Sequence, residues 1–216
     1  TGNNITFSQA IDASTSGGQA LTLSESGTTQ VNGLVGSSKY LKSFNSGSTG
    51  TINLASGTVN TTTGQTYGNP VTLQHDVVIT GVNVTFNGSV DGTYGLTVND
   101  SGTTSFNQRV GNSTILSSIT TDAAGNSSLG TDVIKTSGIQ SYLDNVALTS
   151  DTQLTASTAS FGGTISGAYG LSITGNAVFG NGTGDTVTLS GTSKALSISG
   201  TTTINTNTVT TSGAQT

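Results

Sequence analysis

Apolar and polar residues alternate along this chain in short bursts, such as Leu21-Thr22-Leu23, Thr51-Ile52-Asn53-Leu54, Val71-Thr72-Leu73, Leu96-Thr97-Val98 and Leu171-Ser172-Ile173. A period of two sends every second side chain to the same side of an extended segment, so each burst predicts a strand. Gly, Asn, Asp and Ser separate the bursts, and these are the residues of turns. No stretch carries the 3.6-residue apolar spacing of an amphipathic helix.

The bursts also recur in order. FNGSVDGTYGLTV (86–98) returns as FGGTISGAYGLSI (161–173), 75 positions later. At the same offset SGTTQVNGLVG (26–36) aligns with SGTTSFNQRVG (101–111), and Gln65, Gln140 and Gln215 fall into line. The opening TGNNITF (1–7) matches TGVNVTF (80–86) at an offset of 79, so the first copy carries a few extra residues in a polar loop. The chain divides into copies at approximately 1–79, 80–154 and 155–216, the last incomplete, and reads as one segment of a longer array.

Inside each copy a finer pattern appears, an aromatic or apolar residue followed four positions later by Val or Ile. It occurs at Phe7–Ile11, Val31–Val35, Tyr67–Val71, Phe86–Val90, Phe106–Val110, Tyr142–Val146 and Phe161–Ile165. From Tyr67 the steps are 19, 20, 36 and 19. Halving the 36 at the apolar cluster around Leu129 and Val133 gives about four sub-units of about 19 residues per copy, a coil-sized length.

Two all-β architectures fit short strands in repeats. Tandem sandwiches need a separate core in every copy, and 75 residues at 31% hydrophobic content fill one poorly. A solenoid needs few inward side chains per coil, because stacked coils share one thin column. The expected fold is therefore an all-β, right-handed parallel β-solenoid with about four coils per 75-residue repeat. The whole chain, 1–216, would form a single solenoid segment of about eleven coils, a rod on the order of 50 Å.

Composition narrows the partners. Charged residues make up 7%, against about 25% in ordinary domains, and the net charge is −5. The five basic residues, Lys39, Lys42, Arg109, Lys135 and Lys194, form no run, which argues against nucleic acid and anionic membrane surfaces. No stretch has the roughly 20 apolar residues of a membrane helix, so no membrane insertion of this segment is expected. The absence of Cys removes disulfides, thiolate chemistry and sulfur-ligated metals together.

Candidate chemistry is sparse. His75, the only His, aligns with Ser150 in the next copy and reads as a surface residue. The acids are Asp12, Glu25, Asp76, Asp91, Asp100, Asp122, Asp132, Asp144, Asp151 and Asp185. Of these, Asp12/Asp91 and Asp76/Asp151 recur, beside small residues, where Asp commonly satisfies turn N–H groups. Three or more Asp lining one groove on neighbouring coils would instead favour cleavage of polysaccharides by paired carboxylates. Tyr67/Tyr142 and Tyr94/Tyr169 recur in register, which predicts inward or coil-capping stacks rather than separate sites. GNGTGDTVTL (180–189) resembles a calcium-binding Gly/Asp repeat only faintly, with its glycines out of register. The Asn-x-Ser/Thr sequons at Asn4, Asn60, Asn83, Asn87, Asn99, Asn112, Asn126 and Asn181 follow from composition. Thr-x-Thr pairs such as Thr206/Thr208 do not keep the register an ice-binding ladder needs. No catalytic, cofactor-binding or metal-ligating residue is assigned.

GLTVNDSGTTSFN (95–107), SSITTDAAGNSSLG (117–130) and VIKTSGIQSYLDNVALTSDTQLT (133–155) resemble the β-strand repeat regions of very large bacterial surface adhesins, the filamentous-haemagglutinin-like and autotransporter-like families. The resemblance covers almost the whole chain. It implies secretion across a Gram-negative envelope, right-handed β-helical rods, and attachment, aggregation or biofilm formation. No secretion-signal domain, membrane barrel or Arg-Gly-Asp motif accompanies it here. The expected role is a non-catalytic stalk or shaft of a secreted or cell-surface adhesin or filament, outside the cell and associated with the outer membrane. Expected partners are copies of itself, end-to-end or lateral, and an extracellular glycan or cell surface. A β-helical polysaccharide-binding or -cleaving protein and a self-assembling fibre or lattice subunit are the alternatives.

Overall fold

Each strand lies parallel to the one a turn before it, and three columns of strands build the molecule. The computed structural model describes residues 3–47, 49–182 and 184–216. Thr1 and Gly2 of the opening repeat and Thr183 of GNGTGDTVTL lie outside the described residues. Among the described residues there is no helix, and every strand pairing is parallel. The first column runs without a break through ten strands, from Leu21–Leu23 to Thr208–Thr211. The second stacks Ile5, Thr29, Ile52, Val71, Val90, Val110, Ile134, Leu154, Ile173 and Ile198. The third stacks Ile11, Val35, Val59, Ile79, Val98, Thr121, Tyr142, Phe161, Phe179 and Ile204. The result is a β-solenoid of about ten turns.

A turn takes 19 to 23 residues in the first column, and the longer turns carry their surplus in corner loops. Coils of a uniform 19 predict about eleven turns; the inserted corners reduce this to about ten. The apolar-x-x-x-Val pattern marks corners. Phe86 ends a strand of the first column and Val90 opens one of the second, while Tyr142 ends a third-column strand and Val146 lies in a first-column one. Val31 ends a second-column strand and Val35 bridges in the third, so the same pattern serves all three corners.

Repeat and turn are out of phase. From Gln65 to Gln140 the chain passes eleven strand positions, counting Val110, which is three and two-thirds turns. This refines the expected four coils per repeat. The 36-residue step from Phe106 to Tyr142 is one and two-thirds turns rather than two short coils, because it crosses five strand positions. Each copy is consequently rotated by a third of a turn. Leu21–Leu23 lies in the first column, Leu96–Val98 in the third and Leu171–Ile173 in the second.

Burial follows the alternation. In Leu96-Thr97-Val98 and Val71-Thr72-Leu73 the apolar residues are buried and Thr is partly exposed. Aromatic rings form two ladders. Phe44, Tyr67, Phe86 and Phe106 follow one another at centroid distances of 5.1, 4.9 and 5.2 Å. Tyr142, Phe161 and Phe179 repeat the arrangement on the third column at 5.4 and 5.5 Å. Offset ring pairs in this range add about 0.5–1.5 kcal/mol beyond area burial. Tyr67 and Tyr142 thus fulfil the inward expectation, each fully buried.

Two corners require glycine. Gly36 and Gly111, one repeat apart, have φ of 65° and 66°, and a Cβ there would come within 2.3 Å of the Asn60 carbonyl and 2.1 Å of that of Lys135. No side chain fits that approach.

The recurring Gln is a buried stitch. Gln65 Nε2 donates to the Val59 and Thr80 carbonyls at 3.1 and 2.9 Å, and its Oε1 accepts the Tyr67 hydroxyl at 2.7 Å. Gln140 repeats this with Ile134, Thr155 and Tyr142 at 3.2, 3.0 and 3.2 Å. Gln215 is exposed and makes one such bond, to Val209 at 3.4 Å. Removing a buried amide orphans its partners, at about 1–3 kcal/mol for each group left unsatisfied. Gln140→Ala should therefore lower unfolding free energy by at least that amount in a denaturant titration, and Gln215→Ala by only a few tenths. Equal losses would refute the stitch.

Candidate functional site

The recurring aspartates bind backbone N–H groups, but of the neighbouring turn rather than their own. Asp12 Oδ1 accepts from Ser38 and Lys39 at 2.9 and 3.2 Å, and Asp91 Oδ1 from Ser113 and Thr114 at 2.8 and 3.0 Å. Asp76 and Asp151 accept from Gly95 and Gly170, each at 2.7 Å. These bonds span 19 to 27 residues, so the acids staple one coil to the next. The Ser38 and Lys39 amides hold Asp12 below the usual carboxylate range, and the Gly170 amide, followed by Lys194, does the same for Asp151. Asparagines act similarly: Asn4, Asn83, Asn145 and Asn176 accept the N–H of Thr28, Thr103, Thr164 and Thr201. Of the sequon residues, Asn60 and Asn87 also bridge turns, to the Gly36 carbonyl and to the Asn107 amide.

Asp100, Asp122 and Asp144 come together on three successive turns at the corner between the third and first columns. Asp100 and Asp144 point inward. Asp100 is 2% exposed and takes N–H bonds from Asn83, Val84 and Gly102 together with the Thr104 hydroxyl. Asp122 Oδ1 accepts the Asp100 N–H at 3.0 Å. Asp144 is 4% exposed and bonds the Thr121 and Ser127 hydroxyls. Burial pushes Asp144 up to about 6, and the hydroxyls oppose that rise. Alignment one repeat apart places Glu25 where the second copy has Asp100, and Thr29 where it has Thr104. Glu25 is one methylene longer, and among the described residues both its carboxylate oxygens are buried without a partner, as is Thr29 Oγ1.

His75 lies on the surface, its Nδ1 2.8 Å from the Asp76 carbonyl and its ring stacked 6.4 Å from Tyr94. Tyr94 and Tyr169 correct the inward expectation: they are exposed, at 39% and 37%. They precede the glycines that Asp76 and Asp151 bind, at a corner, where the chain turns outward before the next strand starts. Thr206 and Thr208 also separate, Thr206 standing in the corner before the strand that Thr208 opens.

A cleft of about 330 Å³ lies beside Tyr169. Asp132, Asp151, Gln153, Ser172, Lys194 and Ser197 contribute to its lining. Arg109 holds Asp132 through two bonds, Nε to Oδ1 at 2.9 Å and Nη2 to Oδ2 at 2.5 Å, which lowers the pKa of Asp132. Lys194 Nζ reaches both oxygens of Asp151 at 2.9 Å and sits 5.8 Å from the centre of the Tyr169 ring. An apolar hollow of about 250 Å³ among the last turns includes Phe179, Leu196, Ile198, Ile204 and Val209.

Among the described residues, no group of three or more His, Cys, Asp or Glu is placed to hold a metal ion. In the GNGTGDTVTL stretch, Asp185 Oδ2 accepts the Asn181 N–H at 3.1 Å. No helix among them is long and apolar enough to cross a membrane. No family model, no curated protein and no solved structure matches this chain.

Two stability tests follow from the acids. The pKa of folded Asp144 lies above that of an unfolded carboxylate, so folding favours its protonated form. Its contribution is complete below about pH 4 and is lost as pH rises through about 6. Asp144→Asn should flatten the stability profile across that window, as read by melts at closely spaced pH values; an unchanged slope counts against the assignment. Glu25→Asp should rebuild the Asp100-type network and raise stability by about 1–3 kcal/mol. A loss of stability would show that the two corners are not equivalent.

Proposed function

We propose that this chain is a non-catalytic shaft segment of a bacterial surface adhesin or filament, located outside the cell at the outer membrane. The observation that carries the reading is the unbroken stacking of three strand columns over about ten turns. Such a stack transmits length: each added turn extends the rod by about 4.8 Å and needs no separate core. Most acids serve this stacking. Asp12, Asp76, Asp91 and Asp100 each hold backbone N–H groups, and Asp144 is sealed inside by hydroxyls. A general acid and base need open access to a substrate, and of the three clustered aspartates Asp100 and Asp144 are buried. The sparse charge and the hydroxyl- and amide-rich exterior suit a shaft exposed to solvent along its whole length.

A second reading, a polysaccharide-binding rod, is favoured by the cleft beside Tyr169, which has polar walls and open access. It is compatible with the first, since a shaft can carry ligand sites along its length.

The shaft reading is tested on cells that make the protein. Antibody raised against this segment should label fibrous material outside the outer membrane in electron micrographs. Label confined to the cytoplasm, or on a compact free enzyme, would overturn it.

A further inference from the structure

We propose that the cleft beside Tyr169 binds a short run of neutral glycan. This deepens the polysaccharide-binding reading above, on which it rests.

The cleft follows the rod axis. Asp132, Asp151, Gly170 and Ala195 come from four successive turns at the corner between the first and second columns. With turns about 4.8 Å apart, the trough is about 14 Å long. That spacing is close to the length of one pyranose unit, so successive rings of an extended glycan would meet successive turns. Gln153, Ser172 and Ser197 stand in register on three adjacent strands and present a hydrogen-bonding group at each step. Ala195, partly exposed, adds apolar surface beside them, with Leu171 buried beneath. A cleft of about 330 Å³ with an apolar floor and convergent polar groups has the size and make-up of a small-ligand site.

An insertion makes the wall. From Leu154 to Ile173 a turn takes 19 residues, but from Ile173 to Ile198 it takes 25. Part of the surplus passes through Ser193 and Lys194, where Ser193 is held at a φ of 54°. Backbone held in that sparsely populated region costs energy and recurs at ligand sites. The scaffold alone does not require it. At the equivalent corner one repeat earlier, Asp76, Gly95 and Tyr94 keep the same bond and the same exposed ring, but His75 stands beside the tyrosine and no lysine pairs with the aspartate.

Charge selects the ligand class. Arg109 and Lys194 pair with Asp132 and Asp151, so the site carries two cations and two anions with no net charge. A polyanion would meet the carboxylates and a polycation the two bases. A neutral, hydroxyl-rich chain can donate to the carboxylates and accept from Lys194 and Gln153 without leaving an unpaired ion.

The test uses the whole chain in saturation-transfer NMR titrations with maltotriose, tri-N-acetylchitotriose, mannotriose and, as the acidic control, trigalacturonate. Ser172→Trp fills the trough from a half-exposed strand position, and Ser105→Trp places the same side chain on the first column as a control. Circular dichroism melts establish that both variants fold. Saturable binding of at least one neutral trisaccharide should weaken tenfold or more in Ser172→Trp and stay unchanged in Ser105→Trp. The proposal fails if no neutral trisaccharide binds, if only trigalacturonate binds, or if Ser172→Trp binds as well as the parent. Failure here together with labelled fibres on the cell surface removes the cleft and leaves the shaft standing.

Discussion

Everything in this molecule depends on the parallel hydrogen bonding of each strand to the one a turn away. Turns sit at the strand-to-strand spacing of about 4.8 Å, and at that distance every inward side chain touches its counterparts above and below. The core needs no thickness beyond one side chain per position. This explains how 31% hydrophobic residues suffice where a compact domain uses about 45–50%. Phe161 illustrates the economy: it is buried completely, with one ring on either side at 5.4 and 5.5 Å.

The same spacing dictates the polar chemistry. Corners interrupt the ladder and leave N–H groups unpaired, and a buried or half-buried N–H without a partner is costly. Asp and Asn side chains reach one turn along the axis and fill those vacancies. Asp91 to Ser113 and Asn83 to Thr103 are examples, while Gln140 serves the opposite groups, donating to the Ile134 and Thr155 carbonyls inside the core. Much of the chain's polarity is therefore structural. At Glu25, one methylene longer than Asp100 at the equivalent position, the carboxylate has no partner among the described residues.

Strands, corners and the solenoid itself were legible in the sequence because alternation, turn residues and repetition all express the same stacking. Gln65, Gln140 and Gln215 showed the repeat, and Tyr67 and Tyr142 their inward role. The number of strands per turn was not legible. Periodicity reports the distance between similar residues and not how many corners lie between them, so the 36-residue step could be divided in two. Tyr94 and Tyr169 misled for a related reason: residues recur in register whether a corner turns them in or out. Asp100 and Asp144 showed no sign of burial, since the donors that enclose them come from adjacent turns that sequence alone does not bring together. The cleft was equally hidden, because Asp132, Gln153, Ser172 and Lys194 meet only through stacking.

The mismatch between repeat and turn has a consequence for any surface role. Eleven strand positions do not divide by three, so a group carried once per repeat moves by one corner in each copy and returns only after three copies. Tyr94 faces the corner between the second and third columns, and Tyr169 the one between the first and second. A repeat of twelve positions would have aligned them in one stripe, as a flat ligand lattice or an ice face demands. With eleven, duplication distributes features around the rod and cannot by itself build a uniform face. A site confined to one face must then come from what differs between copies, and the insertion that carries Lys194 is such a difference.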